Sequence, residues 1–362
     1  MTKAKVVVAM SGGVDSSIAA ALLKQQDYDV IGVTMQIWQP GSPEVEGGCC
    51  SLSAVEDARR VCHKLDIPHY VMNFRAMFEA KVIDYFVQEY VEGKTPNPCI
   101  ACNRHIKFQG LLDKARGLGA DYIATGHYAR VKYDATRERY LLAKASDSAK
   151  DQTYALYTFT QAQLAHTLFP LADFNKQADT RTLAQELGLR VANKPDSQEI
   201  CFVNDETYQE FITTRAGKDI RPGDFLDLAG NVLGRHKGLA YYTVGQRKGL
   251  GITFGKPMYV VRLDRERNAV ILGDNEAVFA TGLNAEDLNF ILIPELKVPL
   301  EVEVKIRYSA PPAKALLIPE GADRVRVEFA QPQRAVTPGQ AAVFYHGDVV
   351  VGGGTIVQAL QS

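Results

Sequence analysis

No run of apolar residues in this 362-residue chain is long enough to span a bilayer. The opening Met-Thr-Lys-Ala-Lys has neither the apolar core nor the small-residue cleavage site of a signal peptide. A soluble, cytoplasmic protein without a membrane partner is therefore expected. An excess of one charge is also lacking: 41 Lys and Arg face 42 Asp and Glu, a net charge of −1. A polyanionic partner would have to be met by basic residues gathered into patches. There is no internal repeat and no low-complexity segment. Cysteines are few, at six: Cys49, Cys50, Cys62, Cys99, Cys102 and Cys201. In a reducing compartment such thiols are catalytic, metal-binding or buried more often than paired as structural disulfides. Hydrophobic residues make up 46%, enough for real cores, and the length points to two or three domains.

What is present first is a turn. Residues 5–10 are a β-branched apolar run that reads as a buried parallel strand, and residues 18–23 are Ala/Leu-rich and read as a helix starting near Ser16. Between them lies Ser11-Gly12-Gly13-Val14-Asp15-Ser16-Ser17. Strand, glycine turn and helix N-terminus together make an anion site, with backbone N–H groups free to approach an oxyanion. Asp15 could hold Mg²⁺ against phosphate oxygens. The dinucleotide fingerprint fails for want of a third glycine, and a Walker A ending is missing here. Gly93-Lys94-Thr95 imitates that ending, but Gln88 occupies the position of its first glycine. The remaining pattern, Ser-Gly-Gly-Val-Asp-Ser, resembles the pyrophosphate loop of the ATP-pyrophosphatase family. Members of that family cleave ATP between the α and β phosphates and adenylate a carbonyl oxygen.

The first half alternates strand and helix signals. Strands are expected over 30–36, 69–74 and 121–125. Helices are expected from a capping box at Ser53 to Glu56, over 76–92, over 108–118, over 146–169 and over 177–187. Cys62 shares a helix face with Val55, Ala58 and Leu65 and reads as core. The pattern indicates a doubly wound parallel sheet with ligands at the carboxyl ends of its strands. From about Asp205 helical periodicity fades. After Thr281 strands alternate, as in Val302, Val304 and Ile306 against Glu301, Glu303 and Lys305, which reads as a small antiparallel barrel or sandwich. These changes of texture divide the chain into 1–204, 205–280 and 281–362.

Two cysteine stretches carry chemistry. In Asn97-Pro98-Cys99-Ile100-Ala101-Cys102-Asn103, Cys102 precedes a helix and is followed by Arg104 and Lys107, a setting that favours a nucleophilic thiolate. Cys-x-x-Cys alone also suggests zinc or a redox pair. A structural zinc site needs two more ligands at similar spacing, none is evident, and no metal site is expected. Cys201 sits in the polar Asp196-Ser197-Gln198-Glu199-Ile200-Cys201-Phe202. Beside an adenylating loop, Cys102 and Cys201 suggest sulfur chemistry, one thiol carrying a persulfide and the other resolving it.

These motifs occur in order with Thr125-Gly126-His127-Tyr128-Ala129-Arg130, Lys150-Asp151-Gln152-Thr153-Tyr154 and the stretch from Tyr242 to Gly251. Together they resemble the bacterial tRNA-specific 2-thiouridylase family over essentially the whole chain. The resemblance implies a pyrophosphatase-type α/β sheet domain, a central domain and a C-terminal β-barrel. It also implies ATP-dependent conversion of the wobble uridine to 2-thiouridine in tRNAs for Lys, Glu and Gln, with sulfur from an upstream persulfide donor. By motif, Ala9, Met10, Ser11, Gly12, Gly13, Val14, Asp15, Ser16, Met35 and Gly126 would contact ATP with Mg²⁺. Cys102 would be the nucleophile and Cys201 the persulfide carrier, leaving a Cys102–Cys201 disulfide after transfer. Asn97, Pro98 and Cys99 would lie against the base, with His127 near the tRNA. Lys150, Asp151, Gln152, Arg307, Tyr308 and Gln340 would contact tRNA. Members with a single cysteine in the catalytic loop have Asp where this chain has Cys99. That difference leaves open whether Cys99 joins the chemistry or helps hold an iron–sulfur cluster with Cys102 and Cys201. Two other readings stand beside this one. An adenylating amidotransferase or synthetase acting on a small metabolite would leave both cysteines idle, and a non-catalytic tRNA-binding protein would leave the turn idle.

Overall fold

The computed structural model describes residues 3–37, 52–196, 200–203, 207–252 and 255–361. Cys49, Cys50, residues 197–199 of the Cys201 motif and the expected boundary at 204–205 lie outside the described residues. The chain forms two compact units. The first comprises Met1–Val82, Cys99–Asp205 and Asp348–Val350, and the second Ile83–Pro98, Glu206–Gly347 and Val351–Ser362.

The first unit is built on strands β1 (Lys5–Ala9), β2 (Asp29–Gln36), β3 (His69–Asn73), β4 (Tyr122–Ala124) and, after the antiparallel pair β5 (Arg130–Asp134) and β6 (Arg139–Ala143), β7 (Thr167–Leu168). Its sheet has the order β3-β2-β1-β4-β7 with every pairing parallel. Val6, Val7 and Val8 are fully buried, as a strand covered on both faces requires. The chain leaves β1 toward β2 on one side and later returns to β4 on the other. The strand order therefore reverses between β1 and β4, and a crevice opens beyond their carboxyl ends. Helix α1 (Val14–Gln25) follows β1 directly and buries Ile18, Ala19, Ala20 and Leu23; its small residues allow close approach to the sheet. Helix α2 (Leu52–Lys64) buries Val55, Ala58, Val61 and Cys62, the expected face.

Several expectations need correction. α1 starts at Val14, so Asp15 and Ser16 belong to its first turn and not to a loop before it. Ser53 lies inside α2, whose described residues begin at Leu52. The helix expected over 76–92 is α-helical at Arg75–Phe78, widens to a π-turn at Glu79–Ile83, and resumes at Asp84–Val91. The helix expected over 108–118 begins earlier, at Pro98–Cys102, passes through a π-helical stretch at Asn103–Gly110 and ends at Leu111–Gly117. Cys102 therefore lies within a helical turn and not ahead of one. Residues 146–169 are not one helix but a 3₁₀ turn (Thr153–Leu156), a short helix (Gln161–Ala165) and β7. The Asp151 carboxylate accepts bonds from the Thr153 N–H at 3.4 Å and hydroxyl at 2.8 Å, local pairing that competes with a helix.

In the second unit, helix Tyr208–Ala216, absent from the sequence reading, packs on helix Asp84–Val91 through Phe86–Phe211 and Tyr90–Tyr208 ring contacts. Gly93 ends Asp84–Val91 at φ +74, and Lys94 pairs with Glu89 and Glu92, so Gly93-Lys94-Thr95 is a helix terminus and not a phosphate loop. Strands β8 (Gly223–Leu226), β9 (Val232–His236), β10 (Tyr259–Asp264) and β11 (Ala269–Gly273) make a small sheet around Phe225, Tyr242, Val260 and Leu272. Strands β12 (Phe279–Phe290), β13 (Leu300–Lys305), β14 (Ala313–Pro319), β15 (Arg324–Arg334), β16 (Ala341–His346) and β17 (Val349–Leu360) follow. They pair in the order β12-β15-β14-β13-β16-β17, and β12 pairs again with β17, which closes a six-stranded antiparallel barrel. Leu283, Val304, Leu317, Val327 and Phe344 fill its interior.

Candidate active site

The turn between β1 and α1 sits at the point where the strand order reverses. Gly12 has φ +68, and a Cβ there would lie 2.3 Å from the Ala54 carbonyl oxygen of α2, so only glycine fits. Gly13 is the N-cap of α1 and no side chain bonds across the cap, which leaves the first N–H groups to an incoming anion. The hydroxyls hold the turn's shape. Ser16 Oγ accepts from the Ser11 N–H at 3.2 Å, and Ser17 Oγ donates to the Gly13 carbonyl at 2.7 Å. The Met10 carbonyl accepts from the Thr34 hydroxyl at 2.9 Å. Met35, at the end of β2, is half-buried. Gly126, just beyond β4, meets α1 across the crevice: a Cβ there would be 2.6 Å from the Asp15 carbonyl carbon and the Ser16 nitrogen.

Asp15 is already engaged. Its Oδ1 accepts from the Tyr128 hydroxyl at 3.0 Å and its Oδ2 from Lys176 Nζ at 2.6 Å. Burial and the Asp15 charge push the Tyr128 phenol well above its usual range. Lys176, 3% exposed, also pairs with Asp196 Oδ1 at 2.7 Å. Lys150 donates to Asp196 Oδ2 at 3.0 Å and Arg181 to Asp196 Oδ1 at 3.3 Å. Burial alone would raise the Asp196 carboxyl, but the bonds from Lys176 and Lys150 hold it below the ordinary value. Arg181 further binds the Ala192 and Lys194 carbonyls, and Lys194 donates to the Gly12 carbonyl at 3.1 Å and to Asp57 at 2.9 Å. Tyr128, Lys176, Arg181, Lys194 and Asp57 were not among the sequence candidates. Tyr128 stands in the quoted Thr125–Arg130 motif, but the partners of Tyr128, Lys176, Lys194 and Asp57 lie far away in the chain, and no local pattern marks them.

The cysteines divide by environment. Cys62 is fully buried, and desolvation pushes its thiol up to about 12. Cys99 is exposed, while Cys102 and Cys201 are half-buried. Phe202, next to Cys201, packs edge-on against Phe78. Asn103, after Cys102, is buried and donates to the Ala155 carbonyl at 2.9 Å. His127 Nδ1 lies 2.7 Å from the Thr125 hydroxyl beside the Phe108 and Phe169 rings. Burial, aided by the Lys107 charge, takes its pKa well below the usual value, so the ring is neutral. Among the described residues no three His, Cys, Asp or Glu side chains are grouped to hold a metal ion.

Of the residues assigned to tRNA by resemblance, several hold internal bonds in their own unit. Lys150 is on Asp196, Asp151 on Thr153, and Gln152 Oε1 accepts from the Tyr128 N–H at 2.9 Å. In the second unit Arg307 donates to the Ala335 carbonyl, and Gln340 to the Thr95 carbonyl at 2.7 Å. Tyr308 is exposed, with the Lys305 ammonium near its ring. Asn97 is half-buried and Pro98 buried.

Comparison with known proteins fits this architecture. Residues 4–205 match the tRNA methyl transferase HUP domain, 209–274 the tRNA methyl transferase PRC-barrel domain and 280–356 the aminomethyltransferase beta-barrel domain. A tRNA-specific 2-thiouridylase MnmA from Acetivibrio thermocellus is 60% identical over 98% of this chain and 100% of its own. The chain belongs to the tRNA-specific 2-thiouridylase family. A second 2-thiouridylase, from Clostridioides difficile, is 58% identical over 98% of this chain and 99% of its own, and one from Moorella thermoacetica 59% over 98% and 100%. The domain descriptions speak of methyl transfer, whereas the full-length relatives are 2-thiouridylases; near-complete coverage at this identity gives the relatives' name the greater weight. Among solved structures, a 4-thiouridine synthetase–RNA complex with bound ATP aligns over 60% of this chain and 51% of that one, at 18% identity and a TM-score of 0.38, a likeness too distant to bear on the chemistry.

Proposed function

We propose that the chain is a tRNA-uridine 2-sulfurtransferase that adenylates the wobble uridine and replaces its 2-oxygen with sulfur. The observation that carries this reading is an anion-binding turn at the strand reversal, in the same compact unit as two half-buried thiols, Cys102 and Cys201. A uridine 2-carbonyl is a poor electrophile. Attack of its oxygen on the α-phosphorus of ATP expels pyrophosphate and converts that oxygen into part of a good leaving group, AMP. The N–H groups capped by Gly13, with Lys176 and Lys194 nearby, would stabilise the separating phosphates. The base must leave the anticodon stack to be reached. In one route the terminal sulfur of a Cys201 persulfide attacks C2, AMP departs, and the Cys102 thiolate then attacks Cys201 Sγ, breaking the S–S bond to free 2-thiouridine. In the other the Cys102 thiolate attacks Cys201 Sγ first, and the sulfide it expels attacks C2 and displaces AMP; either way a Cys102–Cys201 disulfide remains.

Asp15, its two oxygens held by Lys176 and Tyr128, does not fit a protein-built magnesium cage, so Mg²⁺ is read as arriving with the triphosphate. The division 1–204, 205–280 and 281–362, ATP contact by residues 9–16, Met35 and Gly126, and tRNA contact by Asn97, Pro98, Cys99, His127, Lys150–Gln152, Arg307, Tyr308 and Gln340 belong to the same proposal. So do tRNAs for Lys, Glu and Gln as substrates, an upstream persulfide donor and a cytoplasmic setting; among the described residues no helix is long and apolar enough to cross a membrane. Mass spectrometry of anticodon nucleosides after incubation with ATP, tRNA and a persulfide donor tests the whole reading. 2-Thiouridine at the wobble position with stoichiometric pyrophosphate is expected; a methylated base, or pyrophosphate formed only with small-molecule acceptors, would refute it.

A further inference from the structure

Asn103 follows Cys102 and is the first residue of the π-helical stretch, where the α-helical turn Pro98–Cys102 ends. A π-helix takes more residues per turn than an α-helix, so the junction decides which way its neighbouring side chains point. At 2% exposure the Asn103 amide is out of reach of bulk water. Its Nδ2 donates to the Ala155 carbonyl at 2.9 Å, while its Oδ1 is buried with no hydrogen-bond partner among the described residues. A carbonyl can only accept, which assigns the orientation of the amide. A leucine of similar shape would fill this place without stranding an acceptor, so packing alone does not account for an asparagine here. The bond to Ala155 is what the amide adds.

The carbonyl it reaches is a fixed point. Ala155 lies in the 3₁₀ turn Thr153–Leu156, where Thr153, Tyr154 and Leu156 are fully buried and the Thr153 hydroxyl donates to Asp151 at 2.8 Å. The Ala155 N–H donates to the Gln152 carbonyl at 3.0 Å. Gln152 is joined to Tyr128 twice: its N–H donates to the Tyr128 carbonyl at 3.0 Å, and its Oε1 accepts from the Tyr128 N–H at 2.9 Å. The Tyr128 hydroxyl in turn donates to Asp15, in the first turn of α1, at 3.0 Å. A chain of hydrogen-bonded residues therefore runs from the neighbour of Cys102 to the phosphate turn, all within one compact unit.

We infer that Asn103 is a positioning residue for sulfur transfer, its bond to Ala155 setting the Cys102 thiol at a fixed place relative to the phosphate turn. This rests on the sulfurtransferase reading above. Forming the adenylate needs the turn and not Cys102, whereas freeing 2-thiouridine needs both. With Cys102 misplaced, pyrophosphate is still released but 2-thiouridine is not freed at the same rate.

The test compares the rates of pyrophosphate release and 2-thiouridine formation in a single turnover of the full-length protein, loaded with persulfide and given saturating ATP and tRNA. Asn103→Leu keeps the bulk and removes the donor. Its pyrophosphate should appear within about twofold of the wild-type rate and its 2-thiouridine about 100-fold more slowly, the scale of a displacement of about 1 Å in a positioned site. Asn103→Asp, which keeps Oδ1 and replaces only the donor, should divide the two rates in the same way. A general loss of structure would lower both together, and circular dichroism and the urea midpoint follow it directly. A folded variant in which the two rates keep their wild-type ratio overturns the inference. Failure of both variants to fold also overturns it, because the amide would then serve the fold and not the thiol. Wild-type protein that forms no 2-thiouridine overturns the sulfurtransferase reading and the inference with it.

Discussion

Gly126→Ala isolates the phosphate turn from every other part of the chemistry. The added methyl group would stand 2.6 Å from the Asp15 carbonyl carbon and the Ser16 nitrogen, which are backbone atoms that no rotamer can withdraw. Carbon contacts are comfortable at about 3.5–4.0 Å, so either α1 or the end of β4 must retreat by about 1 Å. Overpacking of this kind costs about 1–3 kcal/mol. A displacement of about 1 Å in a positioned site costs about 100-fold in rate. If the turn yields, the loss is seen mainly in catalysis; if it resists, mainly in stability. The assays are single-turnover pyrophosphate release with saturating tRNA, ATP affinity and the urea midpoint. Gly117→Ala is the matched control. At the end of helix Leu111–Gly117 it meets nothing within 4 Å, so the same added methyl should stabilise by about 0.4–1 kcal/mol and leave turnover unchanged. A Gly126→Ala protein with wild-type midpoint and wild-type turnover would refute the placement of the nucleotide at this turn.

Three further outcomes are expected. Cys102→Ser and Cys201→Ser should abolish thiolation, whereas Cys99→Asp should keep most of it; nucleoside mass spectrometry decides, and a dead Cys99→Asp whose activity needs iron would favour a cluster over a persulfide pair. At pH 8 Cys62, with its thiol pushed up to about 12, is ionised in only about one molecule in ten thousand, so peptide mapping should find it unalkylated in the folded protein and labelled once urea unfolds it. Asp196 is depressed below its ordinary 3.8, so its contribution to stability is complete above that range and is lost as pH falls through 3.8 toward the depressed value. The wild-type urea midpoint should fall over that window more than that of Asp196→Asn, and parallel curves would contradict the assignment.

Elements made of local signals could be read from sequence. The β-branched run of β1, the glycine turn and the face of α2 with Cys62 each follow from residues within one or two turns of each other. Helix Tyr208–Ala216 escaped because it buries only Phe211 and Ile212 and so shows no helical period, although its Thr207–Glu210 capping box was in plain view. Residues 146–169 misled in the opposite sense. Tyr154, Leu156, Tyr157, Phe159 and Phe169 are all buried and gave an apolar texture, but side-chain bonds such as Thr153 to Asp151 break the backbone into short pieces. The ion network was illegible for a simpler reason. Lys176 and Asp15 are 161 positions apart, and nothing near Lys176 marks it as buried.

The two parts of the site are held differently, as the proposed chemistry asks. Stabilising a departing pyrophosphate is electrostatic work and is most effective from groups that do not move when charge develops. The turn meets this need, with Ser16 and Ser17 buried, Gly12 and Gly126 fitted against backbone, and Lys194 clamped to Gly12 and Asp57. A persulfide thiol has the opposite need: it must accept sulfur from a donor outside the chain and afterwards reach a base inside the site. Cys62 shows what burial would do to such a thiol, since desolvation alone raises it to about 12 and leaves no useful thiolate. Cys102 and Cys201 are both half-buried, which leaves each sulfur within reach of a partner. Cys102 lies where an α-helical turn gives way to a π-helical stretch, and Cys201 lies beside Phe202, whose ring packs on buried Phe78 and holds the thiol near the core without burying it.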